Sequence, residues 1–415
     1  MPERPIKLLL FSTLYPSSAR PGHGIFVETR LRELIKSGQV DVRVVAPVPW
    51  FPSTDERWGA HARMARTPHR ETHNGIAVLH PRYLLPPKVG MNIAPLSLAL
   101  GAASALRQLR REGFDFDVID AHYFYPDGVA AALLSRWFDR PLAITARGSD
   151  LNQIGEFAWP RRQMRWATER ASACIGVSTP LVDILRGWGV PAEKLLRLRN
   201  GVDTERFRPL PVAESRERLG LQGAPLILAV GNLVTHKGQG LVIEALAQIR
   251  QARPQARLVL VGEGPARAQF EAQARSLGVA EAVSFAGAVP NAELLHWYSA
   301  ADVMVLASER EGWANVLLES MACGTPVVAS SVGGSPEVVA RPEVGRVVES
   351  RSPAAFAQAI ESVLASPADR AEVRRYAEGF GWAPTTQAQV DLFSRMAKLG
   401  RVAGHAAATT GGRHA

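Results

Sequence analysis

Cysteine is scarce in this 415-residue chain: there are two, Cys174 and Cys323, each in an apolar context and neither at metal-ligand spacing. That argues against a disulfide framework and a cysteine-bound metal, and reads both thiols as buried groups of a reducing, cytoplasmic compartment. Long apolar runs are scarce too. The longest, MNIAPLSLALGAASAL (91–106), falls short of the about 20 residues that span a bilayer. The opening IKLLLFSTLYP is short and has no small-residue cleavage site after it, so it reads as a first buried strand. No internal repeat is present, and only AGHAAATTGGRHA at the end is low in complexity. A metal set is missing as well. There is no His/Cys cluster, and Asp115 and Asp117 of FDFD precede an apolar run, where they read as polarity at a strand entry.

What is present is a chain long enough for two or three domains, 47% apolar and therefore well able to bury cores. The net charge of +9 is uneven. Residues 1–205 carry 27 Lys+Arg against 20 Asp+Glu, and residues 206–415 carry 21 against 19. A basic front half suits an anionic partner, either a phosphate-bearing substrate, a lipid surface or nucleic acid; a merely solvated basic face is the plain alternative.

Short apolar runs alternate with helix-like segments throughout. Strands are expected at 7–12, 40–47, 76–81, 116–120, 142–146 and 173–178, then again at 226–233, 256–264, 282–289, 301–308 and 325–330. Helices fit between them, among them 24–37, 93–112, 127–137, 157–171, 238–252 and 315–323. Continuous apolar strands joined by helices predict parallel sheets covered on both faces. The segment LRNGVDTERFRPLPVAES (198–215), with its Asn-Gly turn and prolines, reads as a linker between two α/β lobes. Such sheets bind ligands beyond the carboxyl ends of their strands.

One such strand end carries SEREGWANVLLESMACGTPVVAS (308–330). A helix starting there puts Asn315, Val316 and Leu317 in its first turn, where unpaired N–H groups favour phosphate. Glu311 lies in the Gly312–Trp313 loop before it and Glu319 one turn inside it, and a carboxylate accepts two hydrogen bonds from a vicinal diol. Diphosphate between two diol-binding carboxylates suits a nucleotide-sugar. Two unrelated surface glutamates remain the alternative.

EGWANVLLESMACGTPVVAS resembles the E-x7-E segment of retaining nucleotide-sugar glycosyltransferases of family 4, which have the GT-B fold. RNGVDTERFRP, VGNLVTHKG and LVGEGP resemble that family's linker, Lys-Gly loop and strand-end glycine turn, and PGHGIFV, DAHYFYPDG and TARGSD add three front-half loops in order. The VPWFP…HPRY stretch points, more weakly, to the branch that builds bacterial surface polysaccharides.

The resemblance implies two Rossmann-like doubly wound lobes facing a central cleft. Residues 1–205, with a helix at about 385–400 packing back, would bind acceptor; residues 206–384 would bind donor; residues 401–415 would form a disordered tail. It implies transfer of a hexose-type sugar from a nucleotide-diphosphate sugar to an acceptor hydroxyl with retained anomeric configuration, in exopolysaccharide, lipopolysaccharide or other cell-envelope glycan synthesis. The acceptor would be a glycan or lipid-linked, without cofactor, metal or nucleic acid. Glu319 would hold the ribose and Glu311 the donor sugar; Lys237 would pair with the diphosphate, and His122 would approach the sugar from the other lobe. Gly262 and Gly264 would lie near the base, Gly312 and Trp313 beside the donor, and Gly22, Gly24 and Asp127 in the acceptor or phosphate loops. Two positions depart from the pattern. Asn232 stands where an arginine is common, which leaves Arg147 as a replacement cation, and Ala314 stands where glycine is frequent.

Other readings stay open. A nicotinamide dehydrogenase needs a G-x-G-x-x-G that GHGIFV and GEGPAR lack. A GT-B-type sugar-nucleotide epimerase would bind the same donor, and a non-catalytic basic membrane- or nucleic-acid-binding protein would explain the charge alone. His122 could equally be a satisfied strand-end histidine and Lys237 a solvated turn lysine. Finally, FAWPRRQMRWATER (157–170) sets Arg161, Arg162 and Arg165 beside Trp159 and Trp166, a mix that suits reversible docking on an anionic membrane.

Overall fold

A computed structural model of the chain describes residues 4–86 and 90–411, with side chains as far as residue 400. It divides into two compact units, residues 1–199 with 383–415, and residues 200–382. The second unit begins at residue 200, inside the 198–215 linker and ahead of the expected 205/206 boundary. Asn200 donates to Asn315 Oδ1 (3.2 Å), Val202 N–H donates to Phe380 O (2.9 Å), and a Cβ on Gly201 would lie 2.8 Å from Trp382, so residues 200–206 belong to the second unit.

The first unit is built on an eight-stranded sheet ordered Leu195–Arg197, Ala173–Gly176, Leu142–Ala146, Val118–His122, Ile6–Phe11, Val40–Val45, Ile76–Leu79 and Arg70–His73. All neighbours are parallel except the last pair. Its core gathers Leu8, Leu10, Val42, Val44 and Val118 with Leu31, Phe393 and Met396 from flanking helices, which is why the apolar runs read as strands. The Ala383–Gly411 helix completes this core and continues past residue 400, into the segment expected to be a tail. Alanine favours that continuation; residues 412–415 lie outside the described residues.

The second unit holds six parallel strands, ordered Val283–Gly287, Arg257–Val261, Leu226–Val230, Val303–Leu306, Val327–Ser330 and Gly345–Val348. Leu246, Leu258, Leu260, Phe270, Phe356 and Ile360 fill its core.

Both sheets reverse their winding once, between Ile6–Phe11 and Val118–His122 in the first and between Leu226–Val230 and Val303–Leu306 in the second. The crevice outside the carboxyl ends at such a reversal is where doubly wound sheets take ligands. Asp115 and Asp117 lie at the opposite end: Asp117 accepts from Arg4 (2.9 Å) and Lys7 N–H (3.0 Å), and Asp115 pairs with Arg110 and Arg140. Among the described residues no helix is long and apolar enough to cross a membrane.

Candidate active site

In the second unit the reversal point is crowded by loops. The turn after Leu226–Val230 is stitched to the turn after Arg257–Val261 by Gly231 N–H to Val261 O (2.9 Å) and Leu233 N–H to Glu263 O (2.9 Å). Glycine permits this approach. A Cβ on Gly262, whose φ is +144°, would lie 2.0 Å from Gly231 O, and one on Gly264 would lie 2.2 Å from Leu233 O. Gly262 and Gly264 therefore shape the edge by backbone contact. Asn232 is exposed, and its carbonyl accepts from Gln239 Nε2 at 3.0 Å.

Lys237 ends a short turn that Gly238, at φ +73°, presses onto the neighbouring strand end; a Cβ there would sit 2.1 Å from Ala307 O. Lys237 Nζ donates to Glu311 Oε1 at 2.6 Å, both side chains being largely shielded. Glu311 is held from its other side by the loop after Val327–Ser330: Gly334 N–H donates to Gly312 O (3.1 Å), and Gly333 packs so closely that a Cβ would lie 1.9 Å from Glu311 O. Sequence motifs alone do not place that Gly-Gly-Ser-Pro loop at the site, although glycines directly after a strand end are a usable signal.

The helix opening at the site spans Asn315–Ala322. Asn315 N–H donates to Trp313 O (3.1 Å) and Leu317 N–H to Ala314 O (3.2 Å), so the expected three-donor phosphate cradle narrows to Val316. Trp313 is buried with its ring against Phe380 (6.4 Å between centroids), so the ring supports the loop from inside. Glu319 projects inward, accepting from Tyr298 Oη at 2.8 Å. Burial raises its carboxyl from the ordinary 4.5 to about 7, against the opposing pull of Tyr298 and Arg206. Among the described residues, Gln239 Oε1, Ser308 Oγ and Ser335 Oγ, all on these same loops, are buried without a hydrogen-bond partner. Buried polar atoms are rarely left so, and a polar ligand would satisfy them.

The first unit places its candidates around its own reversal point. His122 is buried, with Nε2 3.0 Å from Asp120 Oδ2 and Nδ1 facing the Arg147 guanidinium. Arginine only donates, so Nδ1 accepts and the ring proton sits on Nε2, bonded to Asp120. Desolvation, aided by Arg147, lowers the imidazole to about 4, so it stays neutral at pH 7. Both ring nitrogens are thus engaged, which fits a satisfied strand-end histidine better than one reaching out to a sugar. Arg147, expected as the replacement cation, lies against His122 and over Phe26 (5.4 Å). Burial lowers it to about 9, still protonated near neutrality.

Asp127 is fully buried and spends both oxygens on Thr13, accepting from its N–H and from Oγ1 (2.9 Å). Instead of facing a ligand, it clamps the two loops that flank the reversal. Asp150, unnoticed in the sequence, does the same for the next loop by accepting from Phe124 N–H and Gly148 N–H, each at 2.8 Å. Gly24, at φ +69°, faces Leu14, where a Cβ would lie 2.3 Å from the carbonyl carbon, so its constraint is internal packing; Gly22 has open space around it.

Two doubly wound units, each with polar loops gathered at its reversal point, are the architecture of the GT-B fold. Residues 22–206 match the model for Glycosyltransferase Family 4 and residues 212–380 that for Glycosyl transferases group 1. The chain belongs to the glycosyltransferases built from this pair of domains. It is 29% identical to the putative teichuronic acid biosynthesis glycosyltransferase TuaC of Bacillus subtilis, over 86% of this chain and 88% of that one. It is 30% identical to D-inositol 3-phosphate glycosyltransferase 1 of Catenulispora acidiphila, over 96% and 97%. Among solved structures it superposes on sucrose-phosphate synthase from Thermosynechococcus elongatus with TM-score 0.78 and 22% identity, covering 95% and 99% of the two chains. On Anabaena Alr3699/HepE in complex with UDP-glucose the TM-score is 0.69 at 22% identity, covering 94% and 99%. These structural likenesses speak to the fold.

Proposed function

We propose that the protein transfers a hexose-type sugar from a nucleotide-diphosphate sugar to an acceptor hydroxyl, with retained anomeric configuration, in cell-envelope glycan synthesis. The observation that carries the donor assignment is the gathering of Lys237, Glu311 and Glu319 around the start of one helix at the reversal point of the second unit. Lys237 and the Val316 N–H would stabilise the departing diphosphate, a task a preorganised cation and backbone donor can perform without a metal. The ribose diol would bond Glu319 and the sugar hydroxyls Glu311. As the resemblance to retaining enzymes implies, the acceptor hydroxyl would attack the face the diphosphate leaves, its proton passing to a departing phosphate oxygen. The binding of UDP-glucose by a structural neighbour and the teichuronic acid role in a relative's name support donor class and setting.

The acceptor would be lipid-linked and met at an anionic membrane. Phe157 and Trp159 are 55% and 53% exposed at the start of the Ala158–Arg170 helix, along which Arg161, Arg162 and Arg165 lie with Trp166 and Glu169. Gln163 of this helix donates to Asn92 O (3.2 Å) of the Gly90–Arg111 helix, which exposes Ile93, Leu96 and Leu100. Apolar side chains beside arginines suit a headgroup boundary.

A thermal-shift panel of UDP-, GDP-, ADP- and dTDP-sugars tests the donor assignment. A donor at about 100 times its dissociation constant adds about 2.7 kcal/mol. No shift with any of them would sink it.

A further inference from the structure

Three non-glycine residues among those described have positive φ: Asn74 (48°), Asp139 (51°) and Tyr123 (85°). Asn and Asp enter that region readily, whereas a bulky aromatic there is an outlier that persists only when its surroundings over-determine it. Tyr123 meets that condition. Its N–H donates to Thr145 O (2.9 Å), its carbonyl accepts from Gly128 N–H (2.9 Å), and the next N–H, of Phe124, is fixed by Asp150 Oδ2 (2.8 Å). The outcome of this backbone is a side chain kept out of the core. Tyr123 follows His122 at the carboxyl end of a central strand, half-buried, and its hydroxyl bonds the exposed Ser149 hydroxyl at 2.7 Å.

A glycine would occupy the same backbone without strain, so the chain holds an aromatic ring here at a conformational cost. What this backbone holds at the reversal point of the first unit is a half-buried aromatic ring and two adjoining hydroxyls. An apolar ring face with hydroxyl partners at its rim is the complement of a pyranose, which presents C–H groups on one face and hydroxyls around its edge.

We propose that Tyr123, with Ser149, is a platform for the acceptor sugar ring. This rests on the transferase reading above, and it gives the acceptor ring a contact in the first unit other than His122, whose nitrogens are both occupied.

The test uses the full chain as native protein, Y123F, Y123A and Y123G, with methyl α-D-glucopyranoside and methyl α-D-mannopyranoside as probes. Saturation-transfer NMR should show ring protons of at least one glycoside contacting the native protein and Y123F. The signal should drop at least about threefold in Y123A and Y123G, as loss of an aromatic contact implies. Thermal melting should reverse the usual Ala-over-Gly order, with Y123G at least about 2 °C above Y123A, because only glycine relieves the positive φ. No transfer to either glycoside in the native protein, an undiminished signal in Y123A, or Y123A melting above Y123G would each overturn the inference. Nucleotide-sugar binding measured on the same samples separates the two readings: if it is missing in the native protein, the transferase assignment itself has failed.

Discussion

Lys237 Nζ and Glu311 Oε1 lie 2.6 Å apart, so the cation assigned to the diphosphate and the carboxylate assigned to the sugar neutralise each other. On the proposed assignment, donor binding would re-divide this pair. Removing the carboxylate frees the lysine, whereas removing the lysine strands a shielded carboxylate beside incoming phosphate.

Glu311→Gln should therefore bind free UDP or GDP as well as the native protein or more tightly, while sugar transfer falls by at least about 100-fold, the scale of losing one electrostatic contact to the transition state. Nucleotide titration and single-turnover rates on the same preparation check it. Weaker nucleotide binding in this variant would show that Glu311 does not restrain Lys237.

The raised carboxyl of Glu319 gives a pH signature. Its folded value of about 7 exceeds the ordinary 4.5, so the stability it contributes is full below 4.5, declines as pH rises, and is gone above about 7. Donor binding should have the opposite slope, because the ionised carboxylate is the better diol acceptor. A one-proton linkage tightens affinity about tenfold between pH 6 and pH 8, and Glu319→Gln should flatten that dependence. A slope that survives the substitution would assign the proton elsewhere.

Gly238→Ala should cost well over about 1 kcal/mol, since it adds a Cβ 2.1 Å from Ala307 O at φ +73°. The melting temperature should fall by at least about 2–4 °C. Gly22→Ala, in open space, should melt like the native chain. Equal melting of the two variants would remove Gly238 from the support of Lys237.

How far the sequence foretold this arrangement depends on where each feature draws its cause. Buried central strands such as Leu142–Ala146 are continuous apolar runs and stand out, because their burial on both faces is written into every residue. The edge strands Arg70–His73 and Leu195–Arg197 are polar or short and gave no such run. Lys237, Glu311 and Glu319 sit in local motifs. The clamp of Asp127 on Thr13 and the packing of Gly333 on Glu311 join segments far apart in the chain, and only the fold creates them. The same holds for Trp313, whose place in a local motif hid that its ring turns inward toward Phe380.

Co-sedimentation with vesicles tests the membrane proposal. Among the described residues Arg161, Arg162 and Arg165 have no ion-pair partner, so their charge is available to anionic lipid. Binding should need phosphatidylserine or phosphatidylglycerol, fall with salt, and weaken on the order of 100-fold in the triple glutamine variant, at about 1 kcal/mol per basic residue. Leu96→Ser with Leu100→Ser should weaken it too. Equal recovery with neutral and anionic vesicles would rule the docking out.

Transfer should survive EDTA, because the diphosphate is given to Lys237 and a helix start. Complete loss restored by magnesium or manganese would require an acidic metal site that this reading lacks.

Calorimetric titration of the native chain, Lys237→Gln and Glu319→Gln with UDP-glucose and GDP-mannose bears on the donor site without needing an acceptor. At least one of the two should bind the native protein. Both variants should bind it about tenfold or more weakly, since a hydrogen bond to a charged group contributes roughly 1.5–3 kcal/mol. Equal affinity in all three folded proteins, or no binding of either nucleotide-sugar to the native chain, would contradict the site drawn around Lys237, Glu311 and Glu319.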